Sequence, residues 1–145
     1  MLKKTFFTFI IVSLLAINFA WVGVAKADPA PYFSLIATQG QGDGSNEFYV
    51  GRCFRVNIYL NTGGNNTNGA DVEINYDNSV LQAVQSNCST EATTVYTDGI
   101  FDVYPGAGNS ISTSTILLSA YNNPGNSTNV SNSIYGHLFF KVLSV

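Results

Sequence analysis

The sequence predicts an all-β sandwich. Two observations carry this. From Asp28 onward no stretch sustains a 3.6-residue apolar period. Short runs rich in β-branched and aromatic residues instead alternate with clusters of Gly, Asn, Ser and Thr, the pattern of strands and turns.

The elements follow in order. Tyr32 to Thr38 (YFSLIAT) reads as a first strand, and 39–46 (QGQGDGSN) as a loop. Cys53 to Leu60 (CFRVNIYL) alternates, with Phe54, Val56, Ile58 and Leu60 on one face and Arg55, Asn57 and Tyr59 on the other. Thr62 to Asn68 is a turn region. Ala70 to Tyr76 alternates again, with Val72, Ile74 and Tyr76 inward and Asp71, Glu73 and Asn75 outward. Asp77-Asn78-Ser79 turns the chain, because Asp and Asn side chains close local turns. Val80 to Val84 is a short strand. Thr93 to Tyr96 and Ile100 to Tyr104 are expected as short strands around Asp98-Gly99, and Pro105 to Asn109 as a loop. Ser114 to Tyr121 and Ile134 to Leu143 complete about eight strands, separated by a loop over Asn122 to Asn132. The adjacent pairs Leu117-Leu118 and Phe139-Phe140 suggest burial on both sides of a strand, or a bulge. The Asn, Ser and Thr side chains read as solvated loops and outward faces.

Residues 1–27 read as a secretory signal: a basic start (Lys3, Lys4), an apolar run from Thr5 to Val24, and the small-x-small exit Ala25-Lys26-Ala27. The run is also long enough to span a bilayer, so an uncleaved anchor is the alternative and the only membrane attachment expected. Removing the leader leaves 118 residues (145 minus 27), the size of one domain, 28–145. That domain keeps Arg52, Arg55 and Lys141 against nine acids, a formal net charge of −6 (3 minus 9). So few bases argue against a nucleic-acid partner, which needs clustered Lys and Arg. The reading is of a secreted or cell-surface protein.

From Val50 to Leu81 the run V-G-x-x-F-x-V-x-I-x-L-N-T-G-G, then N-G-A-D-V-E-I-N-Y-D-N-S-V-L, resembles a bacterial cohesin domain. The later S-A-Y-N-N-P-G segment and Gly136 to Val142 (GHLFFKV) are similar to that family's late strands. The resemblance implies a jelly-roll β-sandwich of about nine strands, shared with some carbohydrate-binding modules. It implies a non-enzymatic module that docks dockerins, small helical domains that carry calcium themselves, so that no cofactor is expected on this chain. In cellulosomes such docking assembles polysaccharide-degrading enzymes. By matching on Tyr76-Asp77, the resemblance places Asp71 where cohesins have a dockerin-contacting Asp. Gly69 falls where they have a contacting Asn, and Tyr121 and Asn123 fall at contacting polar positions. Only Asp71 is a match in kind. The family also has a further segment and a final strand beside the first one, so the resemblance implies a domain truncated after Val145, or an open edge beside Tyr32 to Thr38.

The candidate partner face is therefore Asp71, Glu73 and Asn75, with Tyr121 and Asn123 nearby. Asp71 and Glu73 lie about 7 Å apart along a strand; a solvated outward face explains them better than paired hydrolase carboxylates. His137, the single histidine, has no nucleophile elbow or metal-ligand spacing around it and reads as an outward strand residue. Cys53 and Cys88 are either two separate thiols or a disulfide. A bridge would close 35 residues (88 minus 53) and add about 4 kcal/mol in the chain-entropy treatment. Asp43 to Glu47 has the flavour of a calcium loop but lacks its spaced acids. The alternative function is polysaccharide binding through exposed Tyr59, Tyr104 and Tyr121; no Trp follows residue 27 to build a flat platform.

Overall fold

A computed structural model describes residues 29–38, 48–106 and 109–145. The leader and the 39–46 loop, with Asp43 to Glu47, lie outside the described residues. Among the described residues eight strands form two facing sheets: β1 (Tyr32–Thr38), β2 (Cys53–Asn61), β3 (Gly69–Asn75), β4 (Leu81–Val84), β5 (Tyr96–Thr97), β6 (Asn109–Ile111), β7 (Thr115–Tyr121) and β8 (Ser133–Val142). The first sheet runs β1-β2-β8-β4, with β5 also on β8; the second runs β3-β7-β6. Every pairing is antiparallel.

The alternation read in β2 and β3 is what builds the core. Phe54, Ile58 and Leu60 of β2 and Leu138, Phe140 and Val142 of β8 face Ile116, Leu118 and Ala120 of β7. Tyr135 sits at the centre, fully buried. A register shift between Ile58 and Tyr59 leaves Tyr135 as an extra residue in β8, so that Tyr135 and Gly136 both point inward. Gly136 is required there: a Cβ would lie 2.7 Å from Leu118 Cδ2 and 2.9 Å from the Tyr96 carbonyl. The Tyr135 hydroxyl donates to the Ala70 carbonyl and so ties the first sheet to the second.

Several expectations need correction. Ile100 to Tyr104 is not a strand. Tyr104 folds back and its hydroxyl accepts the N–H groups of Ile100 (3.0 Å) and Phe101 (3.3 Å), which rules out an extended run. Of Thr93 to Tyr96 only the last residue is in a strand, β5. Asn109 opens β6 rather than closing a loop; its buried side chain accepts the Ser119 N–H at 3.1 Å. Leu117-Leu118 is plain alternation, with Leu118 buried and Leu117 outward. The bulge is at Tyr135, not at Phe139-Phe140.

The polar residues are not all solvated. Thr62 is buried, donates to the Val130 carbonyl (3.2 Å) and accepts the Val130 N–H (3.1 Å). Thr67 and Thr128 bridge the same two loops. Asn57 faces outward as expected but is buried between Arg55, which donates to it at 2.6 Å, and Tyr59.

β1 pairs with β2 alone and β3 with β7 alone among the described residues. Their free edges lie on the same side of the sandwich. A cleft of about 390 Å³ there is lined by Phe33, Leu60, Ala70 and Asp71, and another of about 280 Å³ by Leu35, Val56, Ile74 and Leu138. Leu35 is consequently 49% exposed although its register partner Ile58 is buried.

Candidate protein-binding face

The outward face of the second sheet is built by two strands in strict alternation. In β3, Val72 and Ile74 turn toward the core, which leaves Gly69, Asp71, Glu73 and Asn75 exposed. In β7, buried Ile116, Leu118 and Ala120 leave Thr115, Leu117, Ser119 and Tyr121 outward. The register sets them in cross-strand pairs: Gly69 opposite Tyr121, Asp71 opposite Ser119, Glu73 opposite Leu117 and Asn75 opposite Thr115. Two hydrogen bonds order one end, from Asn75 Nδ2 to Glu73 Oε1 (3.2 Å) and from Thr115 Oγ1 to Asn75 Oδ1 (3.0 Å). Gly69 cannot carry a larger residue without adjustment, since a Cβ would sit 3.0 Å from the Ala120 carbonyl.

The other end is a loop held by a carboxylate. Asp102 Oδ2 accepts the backbone N–H of Asn123 (2.9 Å) and Asn126 Nδ2 (2.7 Å). The Asn126 side chain, then the Asn123 N–H, hold the Asp102 carboxyl below its usual range. Asn123 is thereby fixed beside Tyr121, at the top of the face.

The structure thus gathers Asp71, Glu73, Asn75, Tyr121 and Asn123 on one sheet face and its rim. Leu117 is the residue that sequence reasoning missed. It is 38% exposed in the middle of the face, opposite Glu73. The signal was present: Ile116, Leu118 and Ala120 define the inward parity and leave Leu117 outward. The face carries Asp71 and Glu73 and no cation, while Arg55 and Lys141 lie on strands of the other sheet.

The remaining candidates fall elsewhere. Tyr59 lies outward on β2 of the first sheet, Tyr121 outward on the second, and Tyr104 packs its ring against Tyr135. The three tyrosines do not share a surface. His137 is outward and half-buried; its Nδ1 lies 2.9 Å from Asp98 Oδ2, and its ring stacks on Tyr96. Among the described residues no group of three or more His, Cys, Asp or Glu comes together to hold a metal. Cys53 and Cys88 are unbridged, with Cys53 Sγ 3.9 Å from the Cys88 carbonyl oxygen.

No family model and no curated protein matches the chain. Solved structures do. The second type II cohesin module from the adaptor ScaA scaffoldin of Acetivibrio cellulolyticus superposes with a TM-score of 0.56 at 18% identity, covering 80% of this chain and 67% of that one. Another structure of that module gives 0.54 at 21% identity, over 79% and 71%. The cohesin in a type II cohesin–X–dockerin complex of the same organism gives 0.52 at 18% identity, over 79% and 72%. The described residues share the β-sandwich fold of these cohesin modules.

Proposed function

We propose that this protein is an exported, non-enzymatic binding module that docks a calcium-loaded, dockerin-type helical partner through the β3–β7–β6 face. One observation carries the reading. The face is acidic, and it holds an exposed leucine at its centre with an exposed tyrosine at its rim. An apolar anchor surrounded by polar groups is the anatomy of a protein-docking surface. The fold supports the partner class, since one of the similar structures is a cohesin bound to a dockerin. Asp71 and Glu73 select a partner with basic groups and steer its approach. The role that follows is scaffolding of polysaccharide-degrading enzymes or of a surface assembly.

The test is a binding titration against a calcium-loaded type II X–dockerin module, using wild type, Asp71→Ala and Leu117→Ser. Asp71→Ala should weaken binding several-fold and Leu117→Ser roughly 10-fold or more, with melting temperatures within a degree or two of wild type. Unchanged binding in both variants would place the contact elsewhere. Loss of fold in Asp71→Ala would make that residue structural.

A further inference from the structure

The turn after β4 is tightly built. Gln85 N–H donates to the Thr90 carbonyl (2.7 Å) and Cys88 N–H to the Gln85 carbonyl (2.8 Å). Asn87 Oδ1 accepts the N–H groups of Ser89 (3.0 Å) and Thr90 (3.2 Å). Within it Cys88 adopts φ +61°, a left-handed conformation uncommon for a residue with a Cβ. Such a conformation is kept where the surroundings hold it. Cys53 on β2 lies 8% exposed beside the turn, and its Sγ reaches to 3.9 Å from the Cys88 carbonyl oxygen.

We propose that Cys53 and Cys88 are a disulfide-forming pair, oxidised by thiol–disulfide exchange into a covalent clamp between β2 and the 85–90 turn. The two positions differ in a way that sets the order of events. Burial, then the hydrogen bond and charge of Cys88, push the Cys53 thiol up to about 12, with Lys141 opposing. Cys53 is therefore almost wholly protonated at neutral pH and shielded from reagents. Cys88 is the more exposed thiol and reacts first. Its thiolate attacks a small-molecule disulfide such as oxidised glutathione, forming a mixed disulfide and releasing one thiolate. Cys53 sulfur then attacks Cys88 sulfur, expelling the second thiolate. Two electrons pass to the oxidant, and the two cysteine protons end on the two released thiols.

The test uses the purified full-length chain, reduced and then equilibrated natively with oxidised glutathione. Wild type should lose both free thiols, retain no glutathione, and yield a peptide that joins Cys53 to Cys88. Its melting temperature should rise by roughly 10 to 20 °C over the reduced form, reversibly with reductant. Cys53→Ser should trap glutathione on Cys88, whereas Cys88→Ser should take up none until denatured. Three results would overturn the proposal: both thiols staying free until the protein is unfolded, glutathione persisting on wild-type Cys88, or disulfide-linked dimers.

Discussion

Replacing Tyr135 by Phe removes a single oxygen and tests how the two sheets are joined. The ring stays, with Phe33 (5.3 Å), Phe101 (5.7 Å) and Tyr104 (6.1 Å) around it, so no cavity larger than the hydroxyl opens. What goes is the bond to the Ala70 carbonyl across the sandwich. A net hydrogen bond contributes about 1 kcal/mol, and a part-buried acceptor that loses its partner adds up to a comparable penalty, for about 2 kcal/mol at most. For a domain of this size that lowers the melting temperature by at most roughly 6 to 10 °C. Urea unfolding should show a lower midpoint at unchanged m. The pH dependence gives an independent check. Burial raises the Tyr135 phenol far above its ordinary value, with Tyr104 and Asp71 adding to the effect. A raised folded-state value means that its stabilisation is complete below about pH 10 and is lost as pH climbs toward the raised value. Tyr135→Phe should therefore flatten the alkaline loss of stability. An unchanged midpoint with an unchanged alkaline limb would refute the hydroxyl as a tie between the sheets.

Other substitutions follow from the same contacts. Gly136→Ala should destabilise by about 2 kcal/mol in urea titrations, because the added methyl meets Leu118 and a backbone carbonyl of β5 that cannot yield without unpairing. Asp102→Ala should release the loop at the rim of the β3–β7 face, read as faster amide exchange at Asn123. Acidification below the ordinary carboxylate range should do the same in wild type, since the lowered Asp102 pKa makes its contribution present above that range and lost beneath it. Ile36→Lys, on the free β1 edge, should reduce self-association in light scattering at high concentration, with stability changed by no more than about 0.5 kcal/mol.

β2 and β3 were legible because period 2 is a local signal, and β7 and β8 as β-rich runs between turn formers; each was read within about two residues at either end. The face was legible for the same reason, since Asp71, Glu73 and Asn75 alternate with Val72 and Ile74. What escaped was tertiary. Asn109-Ser110-Ile111 has no strand signature of its own and extends because β7 offers it a partner edge. Ile100 to Tyr104 looks β-forming, yet the Tyr104 hydroxyl captures backbone N–H groups only once the core exists to seat its ring. The bulge at Tyr135 answers to Gly136 and Leu118, residues that meet from different sheets. Thr62 and Thr128 read as solvated because composition cannot show that their loops pack on each other.

The most direct test of docking through the acidic sheet face is a paired retention experiment. Immobilised wild type and an Asp71→Ala/Leu117→Ser double variant are exposed to the source organism's secreted proteins, with and without a calcium chelator. The account predicts a protein that wild type retains, that the chelator releases, and that the folded double variant fails to hold. Equal retention by both forms, or retention indifferent to the chelator, would contradict it.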